Sequence, residues 1–186
     1  MNETTLTAGG ILIYGIGRLT KSRTTADVAL HATESVILAS VASQLIRGPL
    51  GRTRPHVTND SNQYDFQPFQ GFRNFKNRAV PSIHTSSSMA VATALTLEAH
   101  RRKPGATPFV APVLMTAGLL PGLARIQLDQ HWASDILAGA FMGVFAAYKV
   151  TKYSHDHPTN RFDRVLLKAS VTQAENGQIL VGFDPF

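Results

Sequence analysis

The sequence predicts an all-α fold: a bundle of about five helices, embedded in a membrane, with a short β-hairpin near the C-terminus. Two observations support this prediction. Apolar segments of helix length alternate with polar loops that contain Gly and Pro. Residues 107–124 carry no charge, and their length approaches the roughly 20 apolar residues that cross a bilayer. The mean hydropathy of −0.03 is low for a multi-span protein, so a soluble bundle is the alternative.

The five predicted helices cover residues 8–20, 26–46, 85–100, 107–124 and 132–150. In the fifth, Gly139 and Gly143 have the small-xxx-small spacing that allows helices to approach closely. Chance in an Ala- and Gly-rich segment is the alternative for that pair. A turn signal at residues 175–177 separates two β-prone runs and predicts the hairpin. We assign residues 1–150 to the bundle and residues 151–186 to a polar C-terminal tail.

The charge of the chain favours anionic partners. Eighteen Lys and Arg residues against twelve Asp and Glu residues give a formal net charge of +6. Such a balance is typical of proteins that meet nucleic acid, anionic lipid or phosphorylated substrates. The chain has no Cys, which excludes disulfides and thiolate chemistry.

Three clusters carry side chains suited to chemistry on a phosphate. His131 and Asp135 are four residues apart and would share a helix face, where a carboxylate can orient an imidazole. Arg125 adds a donor fork that suits phosphate. A metal site is the alternative for the His–Asp pair, but it lacks a third ligand, and the neighbouring arginines would repel a cation.

The other two clusters lie at predicted helix ends. Gly48, Pro49 and Gly51 are expected to end the second helix, which places three arginines on a tight turn: Arg47, Arg52 and Arg54. The alternative is a basic helix end that complements the dipole. Ser82 is a good N-cap residue before the third helix, whose first turn would present free N–H groups and His84 to an anion. A capped helix with an incidental His is the alternative there.

The order and spacing of these clusters resemble one family. The motifs are Arg47-x6-Arg54-Pro55, Pro81-Ser82-Ile83-His84 and Arg125-x5-His131-x3-Asp135. They resemble the K-x6-R-P, P-S-G-H and S-R-x5-H-x3-D signature of the type-2 phosphatidic acid phosphatase family, which is grouped with acid phosphatases and vanadium haloperoxidases. The resemblance covers about residues 26–150.

The resemblance implies a phosphohydrolase that acts through a phosphohistidine and needs no cofactor. His131 matches the nucleophile, Asp135 its partner and His84 the general acid. The phosphate-binding positions match Arg47, Arg54, Arg125 and Ser82, with the backbone of Ile83 and His84. The expected substrate is a lipid phosphate or a polyprenyl pyrophosphate. The alternatives are a haloperoxidase, which alone would use vanadate, and a non-catalytic phosphate- or lipid-binding relative.

Three positions depart from the family pattern. Arg47 stands where the family usually has Lys, and Ala124 replaces the Ser before Arg125. Ile83 replaces the Gly of P-S-G-H and matters most. A positive φ at this residue would strain a β-branched side chain and disable the site, whereas a negative φ would only narrow the pocket. We expect an active enzyme with a narrowed pocket.

Alternating helix directions would put all three motifs on one side of the bundle. The opposite side would hold short basic loops, which are typical of the cytoplasmic face: Arg18, Lys21, Arg23, Arg101, Arg102, Lys103, Lys149 and Lys152. We therefore expect a multi-pass protein of the cell membrane with its active site facing the periplasm or the exterior. The resemblance implies six spans, but at most five helices are predicted here and the first of them is short. We therefore expect an N-terminal span to be missing. The expected partners are a phosphorylated lipid or isoprenoid and the membrane, and not nucleic acid.

Overall fold

Five α-helices account for most of the computed structural model, which describes residues 2–57, 62–157, 169–173 and 179–183. They are α1 (Glu3–Leu19), α2 (Arg23–Leu50), α3 (Ile83–Arg102), α4 (Thr107–Gln127) and α5 (Ala133–Asp156). Two strands, β1 (Ala169–Gln173) and β2 (Ile179–Phe183), pair antiparallel with Ala169 opposite Phe183. The all-α prediction and the hairpin are confirmed. The turn expected at residues 175–177 lies outside the described residues. Helix α5 passes residue 150, and the division of the chain there stays a prediction.

The end of α2 differs from the prediction. The helix continues through Gly48 and Pro49 to Leu50, so Arg47 lies in its last turn rather than on a turn after the helix. A proline this close to a helix end removes only one of the last backbone hydrogen bonds. The stop is Gly51, which adopts a left-handed conformation with φ of 60° and donates its N–H to the carbonyl of Arg47 at 3.2 Å.

Consecutive helices run in opposite directions, and α3 packs against each of the other four. Small residues allow this packing. A Cβ atom added to Gly139 of α5 would lie 2.5 Å from the carbonyl oxygen of Ser82, and one added to Gly143 would lie 2.3 Å from that of Ser86, so both positions need glycine. The close helix approach predicted from their spacing is confirmed. Hydroxyls of α3 also contact its neighbours, because Ser86 meets Ser43 of α2 at 3.0 Å.

The interior of the bundle mixes small apolar residues with many polar side chains, whereas large apolar side chains face outward. Its fully buried side chains include Glu98, Asp135 and several Ser and Thr residues. Large apolar side chains instead face outward on α4 and α5, among them Phe109, Val113, Leu120, Leu123, Leu137, Phe141 and Phe145. Among the described residues, three helices are long and apolar enough to cross a membrane: those within Arg23–Leu50, Pro104–Gln127 and Ala133–Asp156. This distribution is typical of helices that associate through small and polar residues in lipid.

Candidate active site

The three motifs meet at one end of the bundle, as their predicted topology requires. This end contains the end of α2, the start of α3, the end of α4 and the start of α5. Backbone hydrogen bonds join the segments, since Ser82 donates its N–H to the carbonyl of Asp135 at 2.9 Å and His56 donates to that of Asp129 at 3.1 Å. The indole N–H of Trp132 also donates to the carbonyl of Thr53, at 3.0 Å.

Two guanidinium groups at this end are held by residues that the motifs do not specify. Arg47 is buried, and its Nε donates to the carbonyl of Arg78 at 2.9 Å. Arg54 is also buried, and its Nη1 donates to Oε1 of Gln130 at 2.7 Å. The Nε of Arg54 is buried without a hydrogen-bond partner among the described residues. Burial and the charge of Arg125 lower the pKa of Arg54, because both disfavour a further cation.

His131 and Asp135 are in contact, but not on one helix face as predicted. Helix α5 begins at Ala133, so His131 lies in the turn that precedes it. Asp135 lies in the first turn, where its Oδ2 accepts the backbone N–H of Trp132 at 2.8 Å and lies 3.7 Å from Nδ1 of His131. That separation is too long for a hydrogen bond. The two side chains therefore meet because Asp135 caps the start of α5, and not because they share a face of one helix.

The imidazoles of His131 and His84 lie in a cationic environment. Burial lowers the pKa of His131, and the charge of Asp135 opposes this shift. Burial, together with the charge of Arg125, lowers the pKa of His84 to about 4. The Nη2 of Arg125 lies 2.7 Å from Nε2 of His84. Because guanidinium can only donate, Nε2 of His84 is the acceptor in this contact and carries no proton.

The start of α3 lies beside these groups. Ser82 is the N-cap residue, but its side chain makes no cap hydrogen bond, so no cap covers the first-turn N–H groups of Ile83 and His84. Ile83 is the first helical residue, and its φ is not positive, so the alternative in which Ile83 strains the backbone does not apply. Its side chain is 3% exposed and lines a cavity of about 430 Å³ together with Val41 and Leu45.

Arg52 was grouped with Arg47 and Arg54 in the sequence but was not among the residues expected to bind phosphate, and the structure places it on Asp135. It is buried, and its Nη1 forms an ion pair with Oδ1 of Asp135 at 2.5 Å. Its guanidinium also lies over the rings of Phe66 and Trp132, at 5.3 Å and 5.8 Å from their centroids. The spacing of residues in the sequence does not reveal that Arg52 pairs with Asp135. Nor does it reveal that Arg78 and Gln130 accept hydrogen bonds from Arg47 and Arg54. Arg52 thus neutralises the Asp135 carboxylate, so the charges of Arg47, Arg54 and Arg125 at the same end leave the site positive.

Comparison with known proteins tests the family resemblance. The family model described as the PAP2 superfamily matches residues 28–158. Lipid A 1-phosphatase of Rhizobium etli is 27% identical over 128 residues, which are 68% of this chain and 51% of that protein. The enzyme of the same name from Porphyromonas gingivalis is 38% identical over 64 residues, which are 34% of this chain and 14% of that protein. This chain therefore spans about half the length of the Rhizobium relative. No solved structure matches. The family match covers well over half of the chain and contains all three motifs, and it confirms the resemblance: the chain belongs to the PAP2 superfamily.

Proposed function

We propose that this protein is a metal-independent phosphohydrolase that cleaves a lipid phosphate through a phosphohistidine intermediate. The single observation that carries the proposal is the position of His131. It is paired with Asp135 and lies at the bundle end where three buried or half-buried guanidiniums meet a second imidazole. A phosphoryl group spreads its charge over three oxygens during transfer, and such a set of cations stabilises that charge.

The phosphate would be bound by Arg47, Arg54 and Arg125. The Nε of Arg54 offers a buried donor without a partner among the described residues, and the first turn of α3 offers backbone N–H groups beside it. The guanidiniums supply the positive charge that metal ions supply in other phosphohydrolases. They would also repel a cation placed at His131 and Asp135. We therefore propose that the active site uses no metal.

In the first step, neutral His131 would attack phosphorus. Its Nδ1 faces Asp135, so Nε2 is the nitrogen that forms the N–P bond while the P–O bond to the lipid breaks. The leaving oxygen takes a proton from His84 and departs as the lipid alcohol. Asp135 stabilises the positive charge on the imidazole of His131. In the second step, His84 removes a proton from water, whose oxygen displaces His131 and releases phosphate.

The contact between Arg125 and His84 would couple this proton transfer to binding. The pKa of His84, about 4, keeps it neutral at neutral pH while the guanidinium lies beside Nε2. A bound phosphate would draw Arg125 to its own oxygens and add negative charge next to the imidazole. Both changes raise the pKa of His84, because they favour its charged form. His84 would therefore become an acid when a substrate is present.

The expected setting is a membrane. The outward apolar faces of α4 and α5 suit lipid contact, and the relatives in Rhizobium and Porphyromonas are named as lipid A 1-phosphatases. The aromatic residues Phe66, Phe69, Phe72 and Phe75 are exposed on the loop beside the site and would meet the interface. Basic residues at the opposite end favour a cytoplasmic location for that end and a periplasmic or exterior active site.

The test is phosphate release by the detergent-purified chain from four substrates: a lipid A-type 1-phosphate, phosphatidic acid, a polyprenyl pyrophosphate and a soluble aryl phosphate. We expect the lipid monoesters to be the best substrates. Vanadate should inhibit, because it mimics the transferring phosphoryl group. Binding of phosphate without any release would favour a non-catalytic relative. Peroxidase activity that appears only with vanadate and halide would favour the haloperoxidase alternative.

A further inference from the structure

A second cluster of metal-ligating side chains lies at the opposite end of the bundle. His31 of α2, Glu98 of α3 and His155 of α5 converge there. Nδ1 of His31 and Nε2 of His155 each lie 2.7 Å from the same oxygen, Oε1 of Glu98. The three ligand atoms all lie within 4.8 Å of one another, and the two rings meet edge to face with their centroids 5.1 Å apart.

This cluster lies far from the proposed active site. Fourteen residues of α3 separate Glu98 from His84, which is about 21 Å along a helix. Glu98 and His31 are 1% and 3% exposed, so a carboxylate and an imidazole are withdrawn from solvent here. Burial of such groups is costly unless they are paired or bind a metal. The phosphate chemistry gives no role to any of the three.

The donor set is one that divalent transition metals prefer. Two imidazole nitrogens and one carboxylate oxygen form the protein ligands of several zinc and non-haem iron sites, in which water fills the remaining positions. We propose that His31, Glu98 and His155 bind one divalent transition-metal ion, such as Zn²⁺, which clamps α2, α3 and α5 together at the end opposite the active site.

The geometry allows this with small side-chain movements. A zinc ion about 2.0–2.2 Å from each donor separates the donors by about 3.3 Å, slightly more than the present 2.7 Å. Each imidazole would bind the metal through its unprotonated nitrogen and carry its proton on the other ring nitrogen. Arg102 does not block the ion, because its Nη2 contacts the other carboxylate oxygen, Oε2, at 3.2 Å. His155 is partly exposed and gives an entry path.

The experiment measures binding of Zn²⁺ and Co²⁺ by the whole chain, purified without a histidine tag and freed of metal with a chelator. We expect one equivalent bound, a Co²⁺ absorption spectrum typical of nitrogen and oxygen ligands, and a higher Tm with Zn²⁺. Glu98→Gln and His155→Ala should each weaken binding by at least about 100-fold, since even outer-shell changes cost 10–100-fold. His155→Ala alters a partly exposed residue and serves if Glu98→Gln does not fold.

Two matched controls locate the ion. His100→Ala removes an exposed histidine at the same end of the bundle, and His131→Ala removes one from the active site. Both variants should still bind one equivalent of metal with the same affinity as the unaltered chain. The proposal is overturned if the chain binds no equivalent of either metal, or if binding is the same in Glu98→Gln and His155→Ala as in the unaltered chain. It is also overturned if His100→Ala or His131→Ala abolishes binding.

Discussion

The two ends of the bundle place pairs of histidines in opposite electrostatic environments. At the motif end, His84 and His131 lie among arginines, and Arg125 points a donor at Nε2 of His84 from 2.7 Å. At the other end, two histidines contact one carboxylate oxygen, each from 2.7 Å. The histidines at the motif end thus have cationic neighbours, which suit an anionic ligand. The histidines at the other end have an anionic neighbour, which suits a cationic ligand. The neighbours of a histidine, rather than the histidine itself, decide which ligand a site can bind.

The largest effect should come from removing the proposed nucleophile. We expect His131→Ala to lower kcat by more than about 10⁴-fold, because loss of a nucleophile removes the covalent route. Asp135→Asn should lower it by about 10³–10⁴-fold through loss of charge and imidazole orientation. The measurement is phosphate release at saturating substrate. His56→Ala, an exposed histidine at the same end, is the control and should remain active. Hydrolysis by His131→Ala near the normal rate would remove His131 from the mechanism.

The next effect tests Arg52, which neutralises Asp135. In Arg52→Gln the negative charge of Asp135 would no longer be offset by a guanidinium, so it would raise the pKa of His131. His131 must be neutral to attack, so the acid limb of kcat/KM should move to higher pH by about one unit, which is a tenfold change in the neutral fraction. Arg73→Gln, an exposed arginine on the nearby loop, is the control. An equal loss at every pH would show that Arg52 acts only on folding.

Arg52 also shows where prediction from sequence stops. The helices follow from apolar periodicity, and the meeting of the motifs follows from their alternating direction. Close packing at Gly139 and Gly143 follows from their spacing. Whether an arginine faces phosphate or carboxylate depends on contacts between residues 83 positions apart, such as Arg52 and Asp135. No local pattern contains that information.

The His–Asp pair was predicted for the wrong local reason. A spacing of four residues brings side chains together on a helix, yet His131 precedes α5. The two still meet because Asp135 turns back to accept the N–H of Trp132, which brings its carboxylate beside the preceding turn. The predicted end of α2 at residue 46 was also too early. Pro49 is tolerated in the last helical turn, so the helix continues to Leu50.

A smaller effect concerns the proton on His84. Its pKa of about 4 lies below the ordinary histidine value, so the cationic surroundings disfavour its charged form, which is populated only as the pH falls toward 4. Bound phosphate should raise this pKa by more than one unit, which increases the protonated fraction at neutral pH more than tenfold. The measurement is an NMR titration of ¹³C-labelled histidine with and without orthophosphate, with His84→Gln to assign the signal. An unchanged pKa would contradict a role for His84 as the acid.

A modest effect is expected from Ile83, whose side chain lines a cavity with Val41 and Leu45 and whose N–H lies in the first turn of α3. Ile83→Gly should keep or raise activity within about threefold and accept bulkier substrates, because the N–H remains while the pocket widens. Stability should fall by about 2–5 kcal/mol through the lost buried side chain and the flexible helix start. Activity is measured across the substrate panel and stability by denaturation, with Ile83→Val as the conservative control. A strong loss of activity in a folded Ile83→Gly protein would mean that the side chain itself positions the substrate.

The smallest effect on rate should come from chelation, and it separates the two ends most directly. EDTA should leave the initial rate of hydrolysis unchanged, because arginines supply the charge at the active site. It should lower the Tm of the metal-loaded chain, because the ion proposed at His31, Glu98 and His155 joins three helices. His155→Ala should show the unchanged rate without the change in Tm. The rate is measured at a temperature well below unfolding, and the Tm is then measured on the same sample. Loss of activity that one divalent metal restores, with the fold intact, would place a metal at the active site and contradict the proposed mechanism. An unchanged Tm in a chain shown to have lost its metal would mean that the ion does not clamp the helices.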